Sequence, residues 1–251
     1  MSDTQAMRKS AGLLSDGQIR NQPKRVSRDV IERFERLQDL AGTVADALDL
    51  LGLSGVIGAS TLPPTLLGKR AVGTAITLRN VGQTLDPHVA LTRDDNRMAE
   101  IEAIHQAAPG DILVIQGVPN VSNMGGIIAT ICVRQKLSGA VVDGGVRDVQ
   151  TSRALGFPIW SRHITPLTGK WRAISTEVNG TISVAGVTVS AGDLVVSDET
   201  GICVVPHDSV DEILRLCEIV DQKESGWLEN VGNGMAIPDV IKHLYKKPGR
   251  A

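Results

Sequence analysis

Apolar residues near the start of the chain recur at the spacing of an amphipathic helix. Val30, Ile31, Phe34 and Leu37 predict a helix over residues 28–40, and Ser27 is suited to cap its first turn. The same criterion predicts helices at residues 43–51, 88–107, 151–155, 208–224 and 237–245. Residues 1–25 are polar and mixed in charge, and without periodicity they are expected to form a flexible extension.

Short apolar or alternating runs between these helices predict β-strands. They lie at residues 71–78, 111–115, 140–143, 158–161, 193–197 and 202–205, with a further alternating segment at 181–189 and a loop at 55–64. The order of elements predicts an α/β sandwich with strands of both directions. Residues 26–251 are expected to form one domain, because no Pro/Ser-rich or charged linker divides them.

The central stretch from Gly125 to Asp148 combines a glycine-led helix with a buried strand. Its sequence is GGIIATICVRQKLSGAVVDGGVRD. A helix running one way and a strand running back place Gly125-Gly126 near Arg147-Asp148. That corner offers helix N-terminal amides, a guanidinium and a carboxylate, which together suit a small anion and a divalent cation. The alternative interpretation of Arg147-Asp148 is an ordinary surface turn with opposite charges.

Composition excludes several classes of partner. The net charge is −2 and the aromatic residues are two Phe, three Trp and one Tyr, so we expect no nucleic-acid binding. No apolar run reaches the roughly 20 residues of a membrane helix, so no membrane partner is expected. Three cysteines without CxxC spacing and without a signal peptide are typical of a reducing compartment, which predicts a cytoplasmic protein.

Five blocks of sequence resemble the RraA-like family, which includes a regulator of ribonuclease E activity and divalent-metal aldolases. The blocks are GDILVIQG (110–117), GGIIA (125–129), GAVVDGGVRD (139–148), FPIWSR (157–162) and GDLVVSDETGICVVP (192–206). The resemblance implies a β/β/α sandwich related to swivelling domains, here with N-terminal and C-terminal flanking helices. It also implies a homotrimer or hexamer with active sites between subunits.

The resemblance also implies roles for individual residues. Backbone amides of Gly125, Gly126, Ile127 and Ile128 would bind the pyruvate end of a small 2-oxo acid. Arg147 would bind its keto acid end, and Asp148 would ligate Mg²⁺ or Mn²⁺. An acidic residue from a neighbouring subunit would approach the site, and Glu224 or Asp221 is the nearest match.

The expected activity is metal-dependent cleavage of a 4-hydroxy-2-oxo acid, or of oxaloacetate, to give pyruvate through an enolate. One departure affects this expectation: the aldolases carry an aspartate 21 positions before the arginine, where this chain has Gly126. The general base is therefore unassigned, and His163 is a speculative replacement. The alternative is a non-catalytic regulator that binds a ribonuclease or helicase.

Overall fold

The computed structural model describes residues 9–244, which form eight α-helices and eleven β-strands. The helices are α1 (Arg28–Glu35), α2 (Leu40–Leu50), α3 (Pro87–Thr92), α4 (Glu100–Gln106), α5 (Gly126–Arg134), α6 (Val149–Ala154), α7 (Val210–Gly232) and α8 (Ile237–Leu244). The strands are β1 (Val56–Gly58), β2 (Ala71–Gly82), β3 (Ile112–Gln116), β4 (Ser122–Met124), β5 (Gly139–Val146), β6 (Ile159–Ile164), β7 (Ala173–Val178), β8 (Ile182–Val184), β9 (Val187–Val189), β10 (Leu194–Ser197) and β11 (Gly201–Val205).

Nine of the described strands form one mixed sheet, and β2 joins its two halves. The first part of β2 pairs antiparallel with β10, which continues through β11 to β1. The second part pairs parallel with β3, and β5 lies parallel beyond it. Both β4 and β6 run parallel to β5, and β7 pairs antiparallel with β2. The predicted α/β fold with strands of both directions is therefore confirmed.

Apolar side chains pack in layers on the faces of this sheet. Helices α4 and α5 cover the parallel half through Ala103, Ile104 and Cys132, which pack in one cluster with Leu113 and Ile115. Helices α1, α2 and α7 cover the antiparallel half in a second cluster. A third cluster brings the β8–β9 hairpin against the sheet. The parallel strands are therefore buried between layers, which fits their continuous apolar runs.

Several local predictions need correction. The helix predicted over residues 88–107 is two helices, α3 and α4, because the polar segment between them turns through Asp94 at a left-handed φ of 51°. The loop predicted at 55–64 contains β1, whose strand is held by pairing with β11. Strand β7 was not predicted because its sequence, AISTEV, mixes apolar and polar residues without a clear pattern. Helix α7 continues past residue 224 to Gly232.

The flexible extension predicted for residues 1–25 is wrong for its described part, residues 9–25, which pack on the domain. Leu14 and Ile19 are buried in the cluster beneath α4. The carboxylate of Glu102 accepts hydrogen bonds from the backbone N–H groups of Ala11 and Leu13, at 2.8 and 2.7 Å. Isolated apolar residues and backbone amides hold this segment, and neither produces a periodic pattern. The assignment of residues 26–251 to one domain stays a prediction.

Candidate active site

The loops that follow β4 and β5 meet at the carboxyl ends of these parallel strands. The Gly126 N–H donates a hydrogen bond to Asp148 Oδ2 at 3.1 Å. Arg147 Nε lies 3.5 Å from the same oxygen. Parallel neighbours end at the same edge of a sheet, which is where open α/β folds commonly bind ligands. The prediction that Gly125-Gly126 lies close to Arg147-Asp148 is confirmed.

The first turn of α5 presents backbone amides at this corner. The Ala129 N–H donates to the Gly125 carbonyl at 3.0 Å, which closes the first helical turn. The Gly126 N–H already donates its hydrogen bond to Asp148. Within residues 9–244, the amides of Ile127 and Ile128 have no recorded hydrogen-bond partner. The amides of Ile127 and Ile128 therefore remain free at a helix N-terminus, where an anion is favoured.

Asp148 occupies an unusual backbone conformation. Its φ and ψ are 55° and 36°, in the left-handed region, and it precedes the first residue of α6. A left-handed residue other than glycine costs roughly 1–2 kcal/mol, although Asn and Asp tolerate it best. This conformation turns the chain sharply between β5 and α6 and directs the carboxylate to the start of α5. Backbone strain of this kind is common at functional sites.

The two glycines permit this close approach. A Cβ on Gly125 would lie 2.9 Å from Asp148 Oδ2 and 3.2 Å from Arg147 Nε. A Cβ on Gly126 would lie 3.0 Å from the Cβ of Thr151 on α6. A side chain at position 126, where the resemblance led us to expect an aspartate, would therefore crowd Thr151 and Asp148.

A cavity of about 350 Å³ opens in front of the two loops. It is lined by Gly125–Ile128, by Arg147 and Asp148, and by residues from α4, the N-terminal segment and the segment before β7. Its charged lining residues are Glu100, Arg147, Asp148 and Lys170. A volume of this size, with apolar walls and a few convergent polar groups, is typical of a small-molecule site.

Glu100 is a carboxylate of this cavity that the sequence analysis missed. It begins α4 and is only 5% exposed. Burial raises its pKa to about 7, and a hydrogen bond from its own backbone N–H only partly opposes the shift. Glu100 shares one helical face with Ala103 and Ile104, both buried. A charged residue at a core-facing position was the signal that could have identified it.

Comparison with known proteins agrees with the fold. Residues 41–204 match the family described as RraA-like: Aldolase/RraA. The chain belongs to the RraA-like family. It is 32% identical over 189 residues to a protein of Halalkalibacterium halodurans named "Putative 4-hydroxy-4-methyl-2-oxoglutarate aldolase", an alignment that covers 74% of this chain and 81% of the relative.

Two solved structures show the same RraA-like fold. An uncharacterised protein of Pseudomonas syringae pv. tomato superposes with a TM-score of 0.73 and 25% identity, covering 86% of this chain and 98% of its own. RraAS2 of Streptomyces coelicolor, an unusual member of the RNase ES inhibitor RraA protein family, gives 0.67 and 27% identity, with coverages of 80% and 96%. Among the described residues of this RraA-like chain, no helix is long and apolar enough to cross a membrane.

The acidic residues expected from a neighbouring subunit lie elsewhere in the single chain. Asp221 Oδ1 accepts a hydrogen bond from the Gln38 N–H at 2.8 Å. It lines a smaller cavity together with Arg33 and Glu218, and neither Asp221 nor Glu224 lines the cavity of Arg147. The role of Glu224 or Asp221 across a subunit interface stays a prediction, as does the trimer or hexamer.

Asp143 and His163, two polar residues near these strands, do not line the cavity. Asp143 accepts a hydrogen bond from the Ala185 N–H at 2.7 Å and pairs with Arg162, so it anchors the β8–β9 hairpin and does not contact Arg147. His163 lies on β6 outside the cavity lining, and its buried Nε2 has no hydrogen-bond partner within the described residues. His163, the suggested replacement base, is therefore not among the residues that line the cavity.

Proposed function

We propose that this RraA-like protein is a divalent-metal-dependent lyase that releases pyruvate from a small 2-oxo acid. The substrates that fit the cavity chemistry are 4-hydroxy-2-oxo dicarboxylic acids, such as 4-hydroxy-4-methyl-2-oxoglutarate, and oxaloacetate. One observation carries the proposal: Arg147 and Asp148 meet the free amides of α5 at the wall of a single cavity. The name of the Halalkalibacterium relative, a putative 4-hydroxy-4-methyl-2-oxoglutarate aldolase, points to the same reaction class.

The charges of the cavity suit a dicarboxylate. Arg147 can hold a carboxylate or the developing enolate oxygen, and its guanidinium is the group of choice for planar anions. The amides of Ile127 and Ile128 can accept a second oxygen at the helix start. Lys170 lines the same cavity and supplies another cation for the distal carboxylate. Together these groups neutralise an anion that carries two negative charges.

Asp148 is the candidate ligand for Mg²⁺ or Mn²⁺. Its side chain is 47% exposed at the cavity, and the Gly126 amide engages only Oδ2, which leaves Oδ1 available. No group of three or more His, Cys, Asp or Glu suited to a metal occurs within residues 9–244. One carboxylate fits Mg²⁺, which keeps several water ligands. When bound, such a cation serves as an electron sink for the 2-oxo acid.

The chain's own groups then bind and orient the reacting acid. In retro-aldol cleavage the C4 hydroxyl loses its proton, the C3–C4 bond breaks, and the bonding pair forms the pyruvate enolate. Loss of CO₂ from oxaloacetate forms the same enolate. Arg147 stabilises this enolate because its positive charge is fixed before the reaction, which typically contributes 10²- to 10³-fold to the rate.

A coupled assay for pyruvate tests the proposal. Purified protein is given Mg²⁺ or Mn²⁺ with either 4-hydroxy-4-methyl-2-oxoglutarate or oxaloacetate, and pyruvate is followed through lactate dehydrogenase and NADH. We expect release from both substrates, loss of release with EDTA, and recovery on adding Mn²⁺. Arg147→Ala should lower kcat/KM by ~10²- to 10³-fold, and Arg147→Lys should recover only part, because lysine lacks the planar fork.

The control is Arg215→Ala, since Arg215 lies on α7 and pairs only with Glu212 among the described residues. This variant should retain wild-type activity. Pyruvate release that survives both EDTA and Arg147→Ala contradicts the proposal, and so does the absence of release from both substrates.

A regulatory function is the second candidate. It is favoured by the structural similarity to RraAS2, a member of a family of RNase inhibitors, and by the absence of the family aspartate at Gly126. Stoichiometric binding to a purified ribonuclease or helicase, measured by calorimetry, together with no pyruvate from either substrate, supports this function over the lyase.

A further inference from the structure

Glu100 lines the same cavity as Arg147 and Asp148. Among the described residues that line this cavity, Glu100 and Asp148 are the two carboxylates, and no histidine, cysteine or tyrosine lines it. Asp148 Oδ2 is engaged by the Gly126 amide and lies near Arg147. Glu100 forms no ion pair within residues 9–244. It is therefore the cavity carboxylate that, among the described residues, forms no ion pair and accepts a hydrogen bond only from its own backbone N–H.

The neighbouring Glu102 shows that burial on α4 does not by itself leave a carboxylate uncommitted. Glu102 is also buried, but it accepts hydrogen bonds from Ser10 Oγ and from the N–H groups of Ala11 and Leu13. Burial raises the pKa of Glu102, yet these bonds outweigh it and hold that pKa below its usual value. Glu100 has no comparable set of donors, so its position on the cavity wall is not explained by a structural hydrogen-bond network.

We propose that Glu100 is the general base of the aldol cleavage, taking the proton of the substrate's C4 hydroxyl. This inference rests on the proposed lyase function. It assigns the general base, which was unassigned because this chain has Gly126 where the aldolases are expected to have an aspartate. Glu100 would touch the substrate directly, on the side of the cavity formed by α4.

The step balances with groups already present. The Glu100 carboxylate accepts the O4 proton, O4 forms a carbonyl with C4, and the C3–C4 bonding pair becomes the C2–C3 double bond of the pyruvate enolate. The enolate then takes a proton at C3 from water, and Glu100 returns its own proton to water. Decarboxylation of oxaloacetate has no hydroxyl proton to remove, so its bond cleavage needs no base.

The groups facing Glu100 are consistent with this role. Cys132 on α5 is a buried thiol that interacts electrostatically with Glu100, and the other charged residues lining the cavity are Arg147, Asp148 and Lys170. Desolvation by these packed elements raises the pKa of Glu100 to about 7. A general base works best when its pKa lies near the working pH, so this environment suits proton transfer at neutral pH.

Comparison of the two reactions in Glu100→Gln provides the test. We expect kcat for cleavage of 4-hydroxy-4-methyl-2-oxoglutarate to fall by ~10²- to 10⁴-fold with KM nearly unchanged. Decarboxylation of oxaloacetate by the same preparation should change less than about threefold. In the wild type, kcat/KM for cleavage should rise with pH through about 7, and this limb should be absent from Glu100→Gln. Glu100→Asp should recover part of the cleavage rate.

Glu229→Gln is the matched control, since Glu229 is an exposed glutamate of α7 outside the cavity. It should leave both reactions unchanged. Equal loss of both activities in Glu100→Gln, or loss of neither, overturns the assignment while the lyase function stands. A wild type that decarboxylates oxaloacetate but cleaves no hydroxy acid also overturns it. A wild type without either activity refutes the proposed function, and the role of Glu100 falls with it.

Discussion

Asp148 and Glu100 are carboxylates of one cavity in contrasting environments. Asp148 lies in a strained turn with its side chain 47% exposed, beside a backbone amide and a guanidinium. Glu100 begins a helix, is 5% exposed and forms no ion pair within the described chain. The first environment places the carboxylate beside solvent and hydrogen-bond donors, whereas the second penalises charge by burial.

This difference separates two tasks that a single carboxylate cannot perform together. A metal ligand must remain ionised, because a protonated carboxyl binds a cation poorly. A general base must release its proton and take it back near the working pH. Unequal environments for two carboxylates are a common way in which one site performs both. The following changes alter one member of the pair at a time.

Asp148→Asn should have the largest effect on activity. Asparagine keeps the shape, tolerates the left-handed backbone and can still accept from the Gly126 N–H, but it lacks the negative charge. We expect kcat/KM for oxaloacetate decarboxylation to fall by ~10³-fold or more, with a higher Mn²⁺ concentration needed for half activity. The free energy of unfolding, measured with urea, should change by less than about 0.5 kcal/mol.

Asp94→Asn is the control for this change, because Asp94 also has a left-handed φ, 51°, but lies outside the cavity lining. It should match the wild type in activity and stability. If Asp148→Asn keeps the wild-type response to Mn²⁺, Asp148 acts as a helix cap for α5 and not as a metal ligand.

Glu100→Gln should flatten the decline in the free energy of unfolding that the wild type shows as pH rises. The folded protein holds the Glu100 proton up to about pH 7, whereas the unfolded chain releases it near 4.5. Between these values the native state binds more protons, so its stability falls as pH rises, by about 3 kcal/mol in total. Urea unfolding at pH 4.5, 6 and 8 should show this decline in the wild type. Glu100→Gln should show a smaller decline and should be the more stable protein at pH 8.

The same measurement on Glu229→Gln should reproduce the wild-type curve, because that residue is exposed. Parallel curves for the wild type and Glu100→Gln would mean that Glu100 is ionised in the folded protein at neutral pH. The contrast between the two carboxylates would then lose its physical basis.

Gly125→Ala should disturb the Asp148 environment without disturbing the fold. Its new Cβ would lie 2.9 Å from Asp148 Oδ2 and 3.2 Å from Arg147 Nε, so both side chains must shift by a few tenths of an ångström. Both contacts are with side-chain atoms that can move, and the φ of −135° is allowed for alanine. We expect kcat/KM to fall by ~10- to 100-fold, because small displacements of positioning groups are costly.

Thermal unfolding should place the Tm of Gly125→Ala within a few degrees of the wild type. Gly82→Ala is the control, because a Cβ at Gly82 meets no atom within 4 Å. Full activity in Gly125→Ala would show that the position of the Arg147-Asp148 pair does not limit the reaction.

The sequence allowed the Asp148 side of the cavity to be predicted but not the Glu100 side. Gly125, Arg147 and Asp148 belong to one helix–strand unit, so local patterns were sufficient to place them together. Glu100 reaches the cavity only because α4 and α5 pack side by side on the parallel half of the sheet. That packing is a tertiary property, and the only local signal was a charged residue on an apolar helical face.

The same difference between local patterns and tertiary packing explains which parts of the fold were predicted. Helices and strands with clear apolar patterns, such as α2, β3 and β11, were predicted close to their observed positions. Strand β7 was missed because its sequence, AISTEV, mixes apolar and polar residues without a clear pattern and its pairing with β2 joins distant parts of the chain. The packing of residues 9–25 depends on the Glu102 carboxylate, which accepts backbone amides independently of their side chains. No side-chain pattern encodes such a contact.

Leu13→Ala should have the smallest effect, and it tests whether the N-terminal segment contributes to the cavity. Leu13 lines the cavity and is 56% exposed, while its N–H donates to Glu102 at 2.7 Å. Alanine keeps that backbone bond, so the segment should stay in place and lose only apolar surface. Burying part of a leucine against substrate is worth about 1 kcal/mol, which predicts a KM raised ~2- to 5-fold with kcat unchanged. Leu67→Ala, at an exposed position outside the cavity, should leave KM as in the wild type. An unchanged KM in Leu13→Ala would mean that the N-terminal segment stabilises α4 through Glu102 without contacting substrate.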